Sequence, residues 1–423
     1  MLLVSEQNCH FGVKSGDKIF VHTGAANPQI LLKKVCEEIK NNKLSHIEFY
    51  HLHLEGEAYH VAPELSEQIK THCFFVGANC RRAVIEGRAN YIPIFLSEIP
   101  LAIKNGLFSF DIALIQISPL DKNGHGTLGP SVDITLAAIQ HSKKVFAQIN
   151  KQMPTVFGDG IISSNVIDAA IEVDEPLPLS KNDSDNCGPI FQKIGENVAS
   201  LIENGSTLQL GIGAIPDATL KALQNHKHLG IHSEMISNGI LDLMNSGAID
   251  NSLKSIVPGK IVSSFAVGSK KLYEFLNEHK LVQFMTSDFV NAPSIIQKNP
   301  KVCAINSAIE IDLTGQVCAD SIGTQIFSGV GGQVDFMRGA ALSKGGKAIM
   351  AITSQTTKGK SKIVPMLSAG AGVVTTRAHV HYVVTEFGVA NLHGKNLMER
   401  SKALAAIAHP ADREKLMSNF KSL

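Results

Sequence analysis

One carboxylate in this chain sits where chemistry is plausible. Residues 229–240, Leu-Gly-Ile-His-Ser-Glu-Met-Ile-Ser-Asn-Gly-Ile, place Glu234 at the end of a short apolar, strand-like run among glycine and small polar residues. A carboxylate is a weak nucleophile in water and gains power when partly desolvated beside donors that await a developing oxyanion. Just upstream lies Leu-Gly-Ile-Gly-Ala-Ile-Pro, residues 210–216. Gly211 and Gly213 permit close approach of a ligand to backbone N–H groups, and Pro216 suits the first turn of a helix. An acid and an anion-tolerant turn thus share one neighbourhood.

The same pattern imitates a dinucleotide fingerprint, because Gly211-x-Gly213 is followed by an acid 21 residues past Gly213. Pro216 stands where the third glycine would let helix and strand pack closely, so the match is incomplete and the turn is compatible with any anion. A second glycine cluster, Ser328-Gly-Val-Gly-Gly-Gln-Val-Asp-Phe (328–336), is either a nest of N–H groups or a tight turn. Beyond it no acidic residue occurs between Asp335 and Glu386, while Arg338, Lys344, Lys347, Lys358, Lys360, Lys362 and Arg377 do. Such a segment is either a local positive wall suited to phosphates or a solvated basic face. His51-x-His53 with His60, and His379-x-His381, lack a third ligand at metal-site spacing, so no metal is expected. There is no Gly-x-Ser-x-Gly elbow, which argues against a serine hydrolase.

The elements that must hold these residues alternate. Short β-branched or apolar runs at Lys18–Val21, His46–Leu54, Phe74–Val76, Asp111–Ile117 and Val145–Ile149 have helix-like segments between several of them. That alternation predicts an α/β fold with a largely parallel sheet. The stretch Asp174–Pro189, with three prolines and many turn formers, reads as an interdomain linker. After it the pattern predicts helix Ile190–Asn204, strand Thr207–Leu210, the glycine turn, helix Asp217–Asn225 and strand Gly230–His232. Further strands are expected at Ile261–Phe265, Val302–Ile305, Lys347–Ile352 and Tyr382–Thr385, with a hairpin around Thr314-Gly315. The expected division is domain 1–175, linker 176–189 and domain 190–423.

At 423 residues, 44% apolar and 18% charged, the chain is globular and too long for one ordinary core. Lysine and arginine number 39 against 38 acids, so no global field draws nucleic acid. The N-terminal stretch lacks the pattern of a signal peptide, and no apolar run is long enough to span a bilayer, so a soluble cytoplasmic protein is expected. Seven cysteines without a Cys-x-x-Cys pair read as buried reduced thiols.

Several spaced segments, in order along nearly the whole chain, resemble the acetyl-CoA hydrolase/transferase family, and within it the 4-hydroxybutyrate and butyryl-CoA:acetate CoA-transferases. They are Asn79-Cys-Arg-Arg, residues 87–100 and 117–129, Gly211-x-Gly213-x-x-Pro216, His232-Ser-Glu-Met, residues 305–316, residues 331–340 and Thr385-Glu-Phe-Gly-Val-Ala. The resemblance implies two tandem CoA-transferase-type open, mainly parallel α/β domains with the active site at their interface. By motif match it makes Glu234 the catalytic glutamate. It places Gly211, Ile212, Gly213, Ala214 and Ile215 at the CoA thioester and its oxyanion, and has Gly331, Gly332 and Lys358 contact CoA. Ser233 stands where relatives often carry threonine, which keeps the hydroxyl. No cofactor is bound permanently on this reading. Coenzyme A is substrate and covalent intermediate, passing from an acyl-CoA through a glutamyl-CoA thioester to a small carboxylate. A hydrolase using the same glutamate, with water as acceptor, is left open, and a homodimer or dimer of dimers is the expected assembly.

Overall fold

The computed structural model describes residues 1–5, 10–180 and 188–419. Contacts divide the chain into two compact units. The first comprises Met1–Lys181, Val262–Val290 and Ile326–Gly331; the second comprises Asn182–Ile261, Asn291–Gln325 and Gly332–Leu423. Two later segments, Val262–Val290 and Ile326–Gly331, group with the first unit rather than with the second. Residues 181–187 of the expected linker, like Cys9 and Cys187, lie outside the described residues.

The first unit is built on an eight-stranded sheet. Its order is Leu2–Leu3, Ala169–Val173, Ser142–Asn150, Phe110–Ile117, Lys18–Val21, Ile47–His51, Ile69–Cys73 and Ala89–Tyr91, with every pairing parallel. The central strand Phe110–Ile117 is a near-continuous apolar run, because a parallel sheet is covered on both faces. Helix Gln29–Asn41 covers part of one face with Leu31, Leu32, Val35, Cys36 and Ile39, whose spacing forms one helical stripe. Each such aliphatic side chain contributes about 1.5–3 kcal/mol on burial.

In the second unit the sheet runs Gly388–Asn391, Tyr382–Thr385, Lys347–Ala351, Val302–Asn306, Thr207–Leu210 and Gly230–Ile236. All these pairings are parallel except the hairpin joining 382–385 to 388–391. From Thr207–Leu210 the chain moves out to Gly230–Ile236 on one side and later returns to Val302–Asn306 on the other. The strand order therefore reverses between Thr207–Leu210 and Val302–Asn306. Such a switch point opens a crevice at the carboxyl ends of the strands. A smaller sheet holds the expected hairpin, with Glu310↔Cys318 and Ile311↔Val317 paired around Gly315 at φ +95°.

Several boundaries differ from the sequence expectation. Phe74–Val76 is the loop leaving strand Ile69–Cys73, which its mixed pattern Ile-Lys-Thr-His-Cys had hidden. Helix Pro189–Ala199 ends five residues before Asn204, and helix Ala214–Ala222 starts three before Asp217. Strand Gly230–Ile236 runs four residues past His232, so Glu234 lies within the strand. No described helix is long and apolar enough to cross a membrane.

Candidate active site

The crevice at the switch point is a cavity of about 510 Å³. Ile212, Ala214, Ile215 and Pro216 line it from the loop after Thr207–Leu210, Ser307 from the loop after Val302–Asn306, and Thr353, Gln355, Thr356 and Thr357 from the loop after Lys347–Ala351. Ile190 and Phe191 complete the wall from the first turn of helix Pro189–Ala199, together with Lys362. Gly195 lets that helix lie close against helix Ala214–Ala222, since a Cβ there would meet the Ala218 backbone at 2.6 Å. The mouth of the turn is shaped by Gly213, at φ +111° and ψ −179°, a region open essentially to glycine alone. Pro216 falls in the first helical turn, where its missing N–H costs nothing.

Glu234 stands on the neighbouring strand at the level of this turn. Thr207 pairs with Gly230 and Leu208 with Ile231, and continuing that register sets Leu210 beside Ser233 and Gly211 beside Glu234. The Ser233 hydroxyl fixes the alignment by donating to the Leu210 carbonyl at 3.1 Å and accepting from the Leu210 N–H at 3.4 Å. The half-buried Glu234 carboxylate accepts a hydrogen bond at its Oε2 from Nδ2 of Asn291 at 3.1 Å, and Asn291 is itself fully buried. Against the same oxygen lies Gly332, the residue that opens helix Gln333–Leu342. A Cβ on Gly332 would fall 1.8 Å from Glu234 Oε2 and 2.1 Å from Asn291 Nδ2. Only a glycine admits the carboxylate here, and the helix N-terminus favours negative charge at that point. Two residues back on the strand, buried His232 meets Asn299 Nδ2 at 3.4 Å through Nδ1 and lies edge-on to Phe336 of that helix.

Two cations of the acid-free segment, Lys347 and Lys362, have acids beside them. Lys347 and Lys301 both pair with Glu203 at 2.8 Å, which holds that carboxylate down to about 2. Lys362 is mostly enclosed at the cavity, where burial pushes its ammonium below the ordinary lysine range and Glu386 pulls part of that back. Glu386 also accepts from the Ser354 N–H at 2.9 Å and hydroxyl at 2.6 Å, so one carboxylate orders the 353–357 wall and balances its cation. Lys358 is exposed on the turn directly after Thr357, closed by the Gly359 N–H donating to the Thr356 carbonyl at 2.9 Å.

Of the residues singled out from sequence, Ile212, Ala214 and Ile215 line the cavity, Gly211 and Gly213 frame the same turn, and Gly332 touches Glu234. Gly331, at φ +55°, belongs to the first unit, where its carbonyl accepts from the Leu96 N–H at 3.0 Å. Among the described residues, His379 and His381 gather no ligand set: Nδ1 of His379 meets Thr376 Oγ1 at 2.9 Å, and His381 stacks on His393. Sequence reasoning missed Asn291 and Glu386. A lone asparagine before Ala-Pro carries no local signal, whereas Glu386 was visible as the acid that ends the basic stretch.

Comparison with known proteins agrees with this architecture. The N-terminal domain profile of the acetyl-CoA hydrolase/transferase family matches residues 3–179, and its C-terminal domain profile matches residues 268–420. The chain is 48% identical over 408 residues to a succinyl-CoA:acetate/propanoyl-CoA:succinate CoA transferase of Fasciola hepatica, covering 96% of this chain and 84% of that protein. It is 47% identical over 404 residues to the 4-hydroxybutyrate coenzyme A transferase of Clostridium kluyveri, covering 95% and 93%. The crystal structure of a 4-hydroxybutyrate CoA-transferase from Porphyromonas gingivalis superimposes with a TM-score of 0.84 at 36% identity, over 100% of this chain and 97% of that one. On matches of this extent, in sequence and in fold, the chain belongs to the acetyl-CoA hydrolase/transferase family.

Proposed function

We propose that this protein is a CoA-transferase that moves CoA from an acyl-CoA to a small carboxylate by way of a thioester on Glu234. The observation that carries the reading is the placement of one half-buried carboxylate, held by Asn291 and Gly332 at a helix N-terminus, level with the glycine turn of a switch-point cavity. A Glu234 oxygen attacks the thioester carbonyl, and the resulting oxyanion collapses with loss of the CoA thiolate to an acyl-glutamyl anhydride. The thiolate then attacks the glutamyl carbonyl and releases the original acyl group as a free carboxylate. What remains is glutamyl-CoA, and an acceptor carboxylate runs the same steps in reverse to leave as its own CoA ester. Every C–S bond broken is matched by one formed, so the thioester is conserved.

The N–H groups opening helices Ala214–Ala222 and Gln333–Leu342 are the donors assigned to the oxyanions, a role worth on the order of a hundredfold or more in rate for each donor. Gly331, Gly332 and Lys358 are assigned to contacts with CoA, Lys358 through its exposed ammonium. Small carboxylates such as acetate, butyrate and 4-hydroxybutyrate are the proposed acceptors, in a cytoplasmic homo-oligomer with no permanent cofactor. Initial rates with paired acyl-CoA donors and carboxylate acceptors test the reading, and parallel lines in double-reciprocal plots are expected. Steady release of free CoA in the absence of any acceptor would instead identify a hydrolase.

A further inference from the structure

The first unit holds a second cluster of reactive side chains that the transfer chemistry does not use. His51 ends strand Ile47–His51 and Cys73 ends strand Ile69–Cys73, and the two are register partners in the parallel sheet. Cys80 sits at the N-cap of helix Arg81–Ile85, a short loop later. Nε2 of His51 is 3.8 Å from Cys73 Sγ and 4.0 Å from Cys80 Sγ, and the three atoms all lie within 4.8 Å of one another. All three residues are fully buried. The sequence reading assigned no metal because neither histidine pair has a third ligand at metal-site spacing, whereas the fold supplies two thiols from the neighbouring strand and loop.

We propose that His51, Cys73 and Cys80 form a zinc site, with His60 as the adjoining fourth group. A tetrahedral ion with Zn–S of about 2.3 Å and Zn–N of about 2.0–2.1 Å sets its nitrogen and sulfur ligands roughly 3.6 Å apart and its two sulfurs roughly 3.8 Å apart. The observed 3.8 and 4.0 Å separations need a contraction of only a few tenths of an ångström. A second observation points to the same place. The His60 ring lies edge-on to His51 at 5.0 Å and is 2% exposed, and both of its nitrogens, like Nδ1 of His51, have no hydrogen-bond partner among the described residues. Buried polar atoms left unpaired in one cluster call for a ligand. Two thiols with imidazole select a thiophilic ion over calcium or magnesium. Val76 is buried with the two thiols, and Ala58, Val61, Val84 and Tyr91 pack against them. On binding, each thiol gives its proton to solvent as its Zn–S bond forms, and the ion ties two strand ends to the start of the helix.

The test uses the full chain, purified without a polyhistidine tag and without chelator. Elemental analysis is expected to find about one zinc per chain, retained in Cys36→Ser and Cys303→Ser and lost in Cys73→Ser and Cys80→Ser. Should those last variants fail to fold, the wild-type protein still decides the matter. After removal of metal under reducing conditions, titration with Co(II) is expected to give thiolate-to-cobalt charge transfer and the intense visible bands of a tetrahedral ion, saturating at one equivalent. A Cys73–Cys80 disulfide in the purified protein, or two free thiols with no metal and no cobalt charge transfer, would overturn the assignment.

Discussion

Replacing Gly332 with alanine is the smallest change that should disable the site. The added methyl carbon would lie 1.8 Å from Glu234 Oε2, whereas ordinary contact begins near 3.4 Å. The difference, about 1.6 Å, must be made up by retreat of the carboxylate or of the helix N-terminus, and Asn291 Nδ2 at 2.1 Å blocks the alternative path. Misplacing a reacting group by about 1 Å costs on the order of a hundredfold. Loss of an aligned donor costs a similar or larger factor. We therefore expect G332A to lower kcat by about 10²–10³, equivalent to about 2.7–4 kcal/mol, while KM for the acyl-CoA changes only a few-fold. Overpacking should also lower stability by about 1–3 kcal/mol, so far-ultraviolet circular dichroism and a melting curve must accompany the assay. Folded G332A with wild-type kcat would refute the placement of Glu234.

Asn291→Ala removes a donor to an ionised group and should cost about 1.5–3 kcal/mol in kcat/KM. Asn291→Asp puts a like charge at 3.1 Å, so the acid limb of the pH profile should move to higher pH, and an unmoved limb would show that Asn291 does not sense Glu234. Gly213→Ala meets no atom within 4 Å yet sits at φ +111°, so it should lose about 1–3 kcal/mol of stability by thermal unfolding. Gly211→Ala, equally open and without a positive φ, should melt close to wild type. Lys254 is buried with Nζ donating to the carbonyls of Ile231 and Lys260 at 2.7 and 2.6 Å, and burial pulls its ammonium down from 10.5 to about 7. The unfolded chain then holds more protons between those two values, so stability rises with pH across that window, by up to about 1.4 kcal/mol per pH unit. Denaturant unfolding of Lys254→Met should show this slope flattened, and an unchanged slope would contradict it.

The neighbourhood of Glu234 was legible because its residues are close in sequence and carry backbone signals. Gly213 and Pro216 mark a turn into a helix whatever surrounds them, and a β-branched strand such as Tyr382–Thr385 declares itself by composition. The strand of Glu234 was read as ending at His232 because Ser233 and Glu234 look polar, yet the strand runs on to Ile236 and Ser233 is buried. Asn291 and Gly332 lie 57 and 98 residues from Glu234, so their convergence is a property of the tertiary fold alone. Charge counting along residues 335–386 could not see a distant partner for the same reason: Glu203 pairs with Lys347 from 144 residues away. His51 and Cys73 meet only because two parallel strands share a register, which no spacing rule along one segment detects.

Glu234 as the covalent carrier is open to direct observation. Brief incubation with an acyl-CoA, quenching, proteolysis and mass spectrometry should find CoA joined to the peptide containing Glu234. Borohydride should reduce that thioester to the alcohol and inactivate the enzyme, and added carboxylate acceptor should discharge it. An unmodified Glu234 peptide during full acyl exchange, or undiminished turnover by Glu234→Ala, would contradict the account.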